Sequence, residues 1–391
     1  MRDSLTGFFQ SIRQGLSRLS GWLSTTLLRP FRASGGWIVK GPLIAIILLF
    51  AGLYGYFFWQ TQAWTNFDPD YPAHYNFAAR KLDAGLPVPA PDGQAAGGAV
   101  ANGQGATGQG ATGQAAAPAA PVCQRSGIVD VTSDLIAFNV DENAWISSML
   151  LYKAGFFGLD WDSTPFLDNK ASFQRGVNQA IRRTTVELVD SLGRVRGTSG
   201  IDTNLQGARS NMQFDEGSWY FGLDPFGPKT PTPSYYRSAM RDLQAFNTTL
   251  AACNATFDAR ADNLIEFLDR ISNDIGSTSA MIRERSENHN GGWFDTRADD
   301  RFWFAYGQLY GYYGIMAAAG ADFDAVITQR GLAPIWGESL KQLRAALRIQ
   351  PAIISNGRED GWIMPTHLAT MGFYILRVRS NLVEMRDILA R

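Results

Sequence analysis

The residues whose types and spacing could do chemistry are carboxylates. Phe257-Asp258-Ala259-Arg260-Ala261-Asp262 recurs thirty-seven residues later as Phe294-Asp295-Thr296-Arg297-Ala298-Asp299, and Asp300 follows. Each copy precedes apolar residues at helical spacing: Leu264, Phe267, Leu268 and Ile271 after the first, Phe302, Phe304, Ala305 and Leu309 after the second. Asp near a helix start accepts orphan backbone N–H groups and suits the positive end of the dipole. An Arg two residues away can pair with it. Two similar helix N-termini therefore account for the echo. The alternative with chemistry in it is an acidic site of Asp295, Asp299 and Asp300, which would bind a cation or perform acid/base work.

Glycan hydrolysis needs two carboxylates several Å apart. Its candidates are Asp215, Glu216, Glu284, Glu287, Asp299 and Glu359, none in a hydrolase motif. His74, His289 and His367 lack metal-ligand spacing, and neither cysteine lies in a CxxC pair, so no zinc site is expected. No phosphate-binding glycine loop, dinucleotide fingerprint or nucleophile elbow is present, so no cofactor is expected. The chain has net charge −1 and no basic run interleaved with aromatics, which gives no case for nucleic acid.

The element that must position everything else is apolar. Residues 43–59, opened by Leu43 and closed by Trp59, carry no charge and span about 26 Å as a helix, enough with a short extension to cross a bilayer. Trp37, Ile38 and Val39 lengthen it, and Tyr54, Tyr56, Trp59 and Trp64 form an aromatic belt at one end. A cleaved signal peptide would end in small residues; this run ends Tyr-Phe-Phe-Trp, which predicts an uncleaved anchor in the lipid bilayer. Residues 1–40 carry Arg2, Arg13, Arg18, Arg29, Arg32 and Lys40 against Asp3, net +5, which leaves −6 for the rest. Positive charge stays inside, so the N-terminus is expected in the cytoplasm and the C-terminal body outside.

Five regions follow. Residues 1–36 form a basic tail with an amphipathic helix at about 4–28, carrying Leu5, Phe8, Ile12 and Leu16. Residues 37–60 form the span and 61–83 a juxtamembrane segment. Residues 84–122 are nearly all Gly, Ala, Gln and Pro, too poor in apolar groups to fold. As a flexible tether they would reach roughly 35 Å and let the body stand off the membrane. Residues 123–391 are the body, large enough for its own core.

The body reads as all-α. Helices are expected at about 142–157, 171–194 and from Ser234, with Ile128–Val131 as the nearest strand candidate. Leu368, Met371, Ile375, Val378, Leu382, Met385 and Leu389 alternate spacings of three and four over the last helix. That seam packs into its own domain or makes a homo-oligomer. Residues 214–233, rich in Gly, Pro and aromatics, form a loop whose Trp219, Tyr220 and Phe221 are interaction candidates. Cys123 and Cys253 both lie beyond the span, where an oxidising compartment invites a disulfide; two buried free thiols are the alternative.

The stretches WIVKGPLIAIILLFAGLYGYFFW, SYYRSAMRDLQAFNTTLA, FDARADNLIEFLDRI, TRADDRFWFAYGQLYGYYGI and THLATMGFYILRVRSNLVEMRDIL resemble the bacterial DUF2333 proteins, a family without an assigned function. The resemblance implies a membrane-anchored protein of a Gram-negative envelope with a helical body, and supplies no catalytic residues. Two functions are expected to compete. One is a periplasmic scaffold or interaction module that meets other envelope proteins. The other is an envelope hydrolase acting on a glycan or peptide through carboxylates.

Overall fold

The computed structural model describes residues 37–77, 123–194 except 157, 162, 163 and 165, 200–289 except 224, 291–292, 295–358 and 364–391. The expected tail helix at 4–28 and the 84–122 tract lie outside the described residues, as do Phe294 and Glu359.

The chain divides into two units, residues 1–59 and 60–391. Helix α1, Trp37–Gln62, belongs mainly to the first. Its stretch from Lys40 to Gln62 is long and apolar enough to cross a membrane, with mean hydropathy 2.0, and its Ile46, Leu48 and Leu49 are exposed.

The second unit is helical apart from one small hairpin. In order it contains α2 (Gly127–Ala137), α3 (Leu150–Ala154), α4 (Asn169–Glu187), α5 (Thr203–Met212), β1 (Phe221–Leu223), β2 (Phe226–Pro228), α6 (Thr232–Ala251), α7 (Ala261–Asn288), α8 (Ala298–Asp322), α9 (Asp324–Gln329), α10 (Ala333–Ala346) and α11 (His367–Leu389). Single π turns, Phe138–Glu142 and Leu188–Leu192, prolong α2 and α4.

The centre is the parallel pair α4 and α8. A Cβ on Gly176 would lie 2.0 Å from the Phe304 carbonyl oxygen, and one on Gly307 would lie 2.0 Å from that of Phe173. Only glycine allows this approach, and it brings both helix N-termini to the same end. Buried Asp274 of α7 locks the pair from the side. It accepts hydrogen bonds from Gln179 Nε2 (2.7 Å) and Arg183 Nε (3.2 Å) of α4, and from Gln308 Nε2 and Tyr312 Oη of α8 (both 2.7 Å). A buried carboxylate with four donors holds three helices in one register.

The apolar seam of α11 is buried along its length against the body's own α7 and α10, so it is spent on the fold. Any self-association through this helix is left to Phe373 and Leu376, which are exposed. Two local expectations are corrected. Ile128–Val131 is helical, because Ser126 caps α2 and Asp322 accepts from the backbone N–H groups of Gly127 (2.8 Å) and Ile128 (2.9 Å). Helix 142–157 shrinks to Leu150–Ala154. Gln174 bonds Ile146 N and Ala144 O, and Asn143 bonds Phe138 O, so side chains replace the helical ladder there.

Residues 60–77 pack within the second unit. Lys170 donates to the carbonyls of Gln60 (3.1 Å) and Ala63 (2.6 Å), which caps the end of α1. Trp64 meets Phe173 edge-on, Phe67 stacks on Tyr310, and Tyr71 Oη donates to the Tyr310 carbonyl (2.9 Å). Burying an aromatic side chain is worth on the order of 1.5–3 kcal/mol, which outweighs leaving this stretch in solvent. The chain therefore enters the body at Gln60, ahead of the Ala/Gly/Gln tract. It comes back beside its point of departure: a Cβ on Gly127 would lie 3.2 Å from the Phe77 ring.

Candidate functional site

The two FDxRAD copies do mark helix N-termini. Helix α7 starts at Ala261 and α8 at Ala298, the same position of the motif. Neither helix is capped by a side chain of the residue that precedes it, Arg260 or Arg297.

Around the second copy, Asp299 and Asp300 open α8 and Asp168 immediately precedes α4. Because the two helices run parallel at close range, the three carboxylates gather at one end. Asp168 is fully buried. Its partner is the Asp300 carboxyl, met carboxyl to carboxylate. Burial, then the charges of Asp300 and Asp299, push the Asp168 carboxyl far above the usual range. Asp299, 4% exposed, is pushed up to about 8 by burial and by Asp300. The Asn169 amide is oriented so that its nitrogen donates to Asp299 Oδ2 (3.1 Å) and its oxygen accepts from Trp303 Nε1 (3.2 Å). Ser172 Oγ donates to Asp300 Oδ1 (2.9 Å). Like charges in low dielectric cannot all ionise, so this cluster stores protons at neutral pH.

Asp300 alone of the three borders open space. It lines a cavity of about 300 Å³ with Ser172, Arg175, Met281, Arg297 and Arg301. Arg175, Arg297 and Arg301 thus border the cavity beside Asp300, an arrangement suited to meeting a polar ligand of mixed charge.

Asp295 stands apart from this cluster. Arg285 grips it with two nitrogens, and Asn356 Nδ2 donates to it (2.8 Å). Burial opposes its ionisation, but the hydrogen bonds from Arg285 and Asn356 outweigh that and hold its carboxyl below the usual range. Asn356 also donates to the carbonyls of Arg285 and His289, so Asp295 fastens two loops.

The hydrolase candidates do not converge. Glu216 pairs with Arg182 (2.9 Å) and accepts from Asn178 (2.9 Å). Glu284 faces His289 (3.9 Å) and Glu287 faces Arg283 (3.4 Å), both on exposed surface. Asp215 accepts from Ser218 Oγ (3.0 Å) beside the hairpin. Among the described residues no group of three or more His, Cys, Asp and Glu could hold a metal ion. Cys123 and Cys253 are joined as a disulfide, their Cα atoms 5.3 Å apart, which ties the approach to α2 to the end of α6. Trp219 is half-buried, while Tyr220 and Phe221 are exposed.

Asp168 and Lys170 escaped the sequence reading. Asp-Asn-Lys just ahead of an expected helix is a start signal. Its partners, more than a hundred residues away, could not be read from the sequence.

The model of the DUF2333 family, described as an uncharacterized protein conserved in bacteria, matches residues 136–290. The match spans Asp168, the hairpin and the first FDxRAD copy, and stops before the second. No curated protein and no solved structure matches the chain.

Proposed function

We propose that this chain is a single-pass, membrane-anchored scaffold or protein-interaction module of the bacterial envelope, with its N-terminus in the cytoplasm and its helical body in the periplasm. The observation that carries the reading is the weld at residues 60–77. Lys170, Trp64 and Tyr71 hold the stretch that follows the apolar helix in the core of the body, so the folded body begins in the chain directly after the apolar stretch. An anchored platform fits that order. The basic residues before the span and the Cys123–Cys253 pair, which suits an oxidising compartment, support the orientation.

A reporter that works only in the periplasm, fused after Arg391, should be active; silence from an intact fusion overturns the orientation. Crosslinking in cells should then recover defined envelope proteins with the full-length chain. Recovery of none above the level of an unrelated anchored protein defeats the scaffold reading.

One observation favours a hydrolase as the second reading: protonated Asp168 and Asp299 stand behind a half-exposed Asp300 at a cavity. Asp300→Asn should then abolish release of glycan or peptide fragments by the purified protein, with folding intact. Equal activity in both proteins removes that reading.

A further inference from the structure

The span is not the only apolar surface. Two segments of the body carry seven large exposed hydrophobic side chains: Leu150, Phe156, Leu159 and Phe166 on one, Tyr220, Phe221 and Phe226 on the hairpin. Leu159 is 67% and Phe226 78% exposed. Elsewhere in the described body only Ile201, Ile353, Phe373 and Leu376 are comparably exposed, so the clustering is not the background of a soluble surface.

The two segments form one surface. A groove of about 490 Å³ is walled by Leu150 and Lys153 on one side and by Trp219, Phe221 and Lys229 on the other. Within each segment several contacts join described residues. Phe156 and Leu159 exchange backbone hydrogen bonds (2.8 and 3.1 Å), Trp161 Nε1 donates to the Leu151 carbonyl (2.9 Å), and Phe221 pairs with Pro228 across the hairpin. The far end of the first segment meets the residue that ends the apolar helix: Gln62 Nε2 donates to the Phe166 carbonyl (2.9 Å).

We propose that this surface lies in the headgroup layer of the membrane that holds α1, with the apolar side chains among the upper acyl chains and Lys153 and Lys229 on lipid phosphates. Aromatic residues favour that depth because one part is apolar and the other tolerates water. Lysines bury their stems and keep the ammonium at the phosphates. Among the described residues that line the groove, Lys153 and Lys229 accompany a single carboxylate, Asp215. The inference rests on the anchor reading. It reassigns Trp219, Tyr220 and Phe221, expected from the sequence to meet a protein, to lipid.

The test uses the full-length protein in lipid nanodiscs, with a spin label on a single added thiol and the native pair left oxidised. Labels at Phe226→Cys and Leu159→Cys should be more accessible to oxygen than to a water-soluble nickel chelate, as should a label at Leu48→Cys inside α1. A label at Phe373→Cys on α11 should show the reverse. With anionic lipid, Lys153→Glu with Lys229→Glu should shift the Phe226 label toward water; with zwitterionic lipid the shift should be smaller. If the Leu48 label reads lipid while the Phe226 and Leu159 labels read water, the docking proposal is overturned and the anchor stands. If the Leu48 label also reads water, the anchor reading fails. Labels shielded from both reagents place a protein on the surface and also overturn the proposal.

Discussion

The two FDxRAD copies begin with the same residues and end in opposite electrostatic conditions. In the first, Phe257 is buried against Phe323, and Arg260 turns back on its own motif to pair with Asp258 (2.6 Å) and approach Asp262 (3.8 Å). The charges are settled locally, at partly exposed positions. In the second, Arg297 is exposed, and the carboxylates find partners from elsewhere in the chain. Asp295 takes Arg285 and Asn356, and Asp299 is packed against Asp168 and Asn169. The same letters give a solvated helix start where the helix end meets water, and a proton store where a second helix end is pressed against it. What differs is the neighbour, brought in by Gly176 and Gly307.

The largest expected effect separates the copies by what each carboxylate leaves behind. Asp295→Ala strands Arg285, 19% exposed, without its partner, and should cost about 3–5 kcal/mol. Urea unfolding of the full-length protein, followed by Trp fluorescence, reads this. A loss under 1 kcal/mol would show that the contact does not hold the loops. The Asp295 contribution also depends on acid: its carboxyl is lowered in the fold, so the stabilisation is present above about pH 4 and fades as pH falls below it.

Next, Gly307→Ala should cost about 1–3 kcal/mol or more, because the new Cβ meets the Phe173 carbonyl and forces α4 from α8. If that separation lets water reach Asp299, its titration, followed by carboxyl NMR or infrared, should move down from about 8. An unmoved titration would mean that close helix approach is not what raises it.

Asp299→Asn should stabilise. The raised carboxyl means that the folded state holds a proton that the unfolded chain has released, so stability drains as pH rises from about 4 to about 8. The neutral amide removes that loss and should give about 1–3 kcal/mol at pH 8 and little at pH 5. A gain equal at both pH values would refute the buried-charge explanation.

The smallest effect is expected for Asp258→Ala. Its partner Arg260 is 49% exposed, and pairs of that kind contribute about 0–1 kcal/mol. A cost as large as that of Asp295→Ala would erase the distinction between the copies.

Much of the fold was legible along the chain. The seam from Leu368 to Leu389 is buried at every expected position, and the apolar stretch after Trp37 is one helix, because helical periodicity and unbroken hydropathy are local properties. The helix starts after both echoes were legible for the same reason. Residues 142–149 were misread because Gln174 and Asn143 replace backbone partners there, and no local signal announces a side chain arriving from thirty residues away. Of the candidate site, Asp299 and Asp300 were visible as a pair. Asp168, which changes their chemistry, was not, because it lies 131 residues before Asp299.

The sequence by itself determined that the chain has an apolar helix able to span a membrane, a helical body, and two cysteines beyond the span. These follow from composition and period, which each segment carries in itself. Only the tertiary structure decided that the compact body begins at Gln60 and that Asp168, Asp299 and Asp300 share one buried corner. Those outcomes depend on which surfaces meet. Lys170 reaching the end of α1, and glycines that let α4 touch α8, are encounters between distant residues, and their energies exist only once the chain has closed on itself.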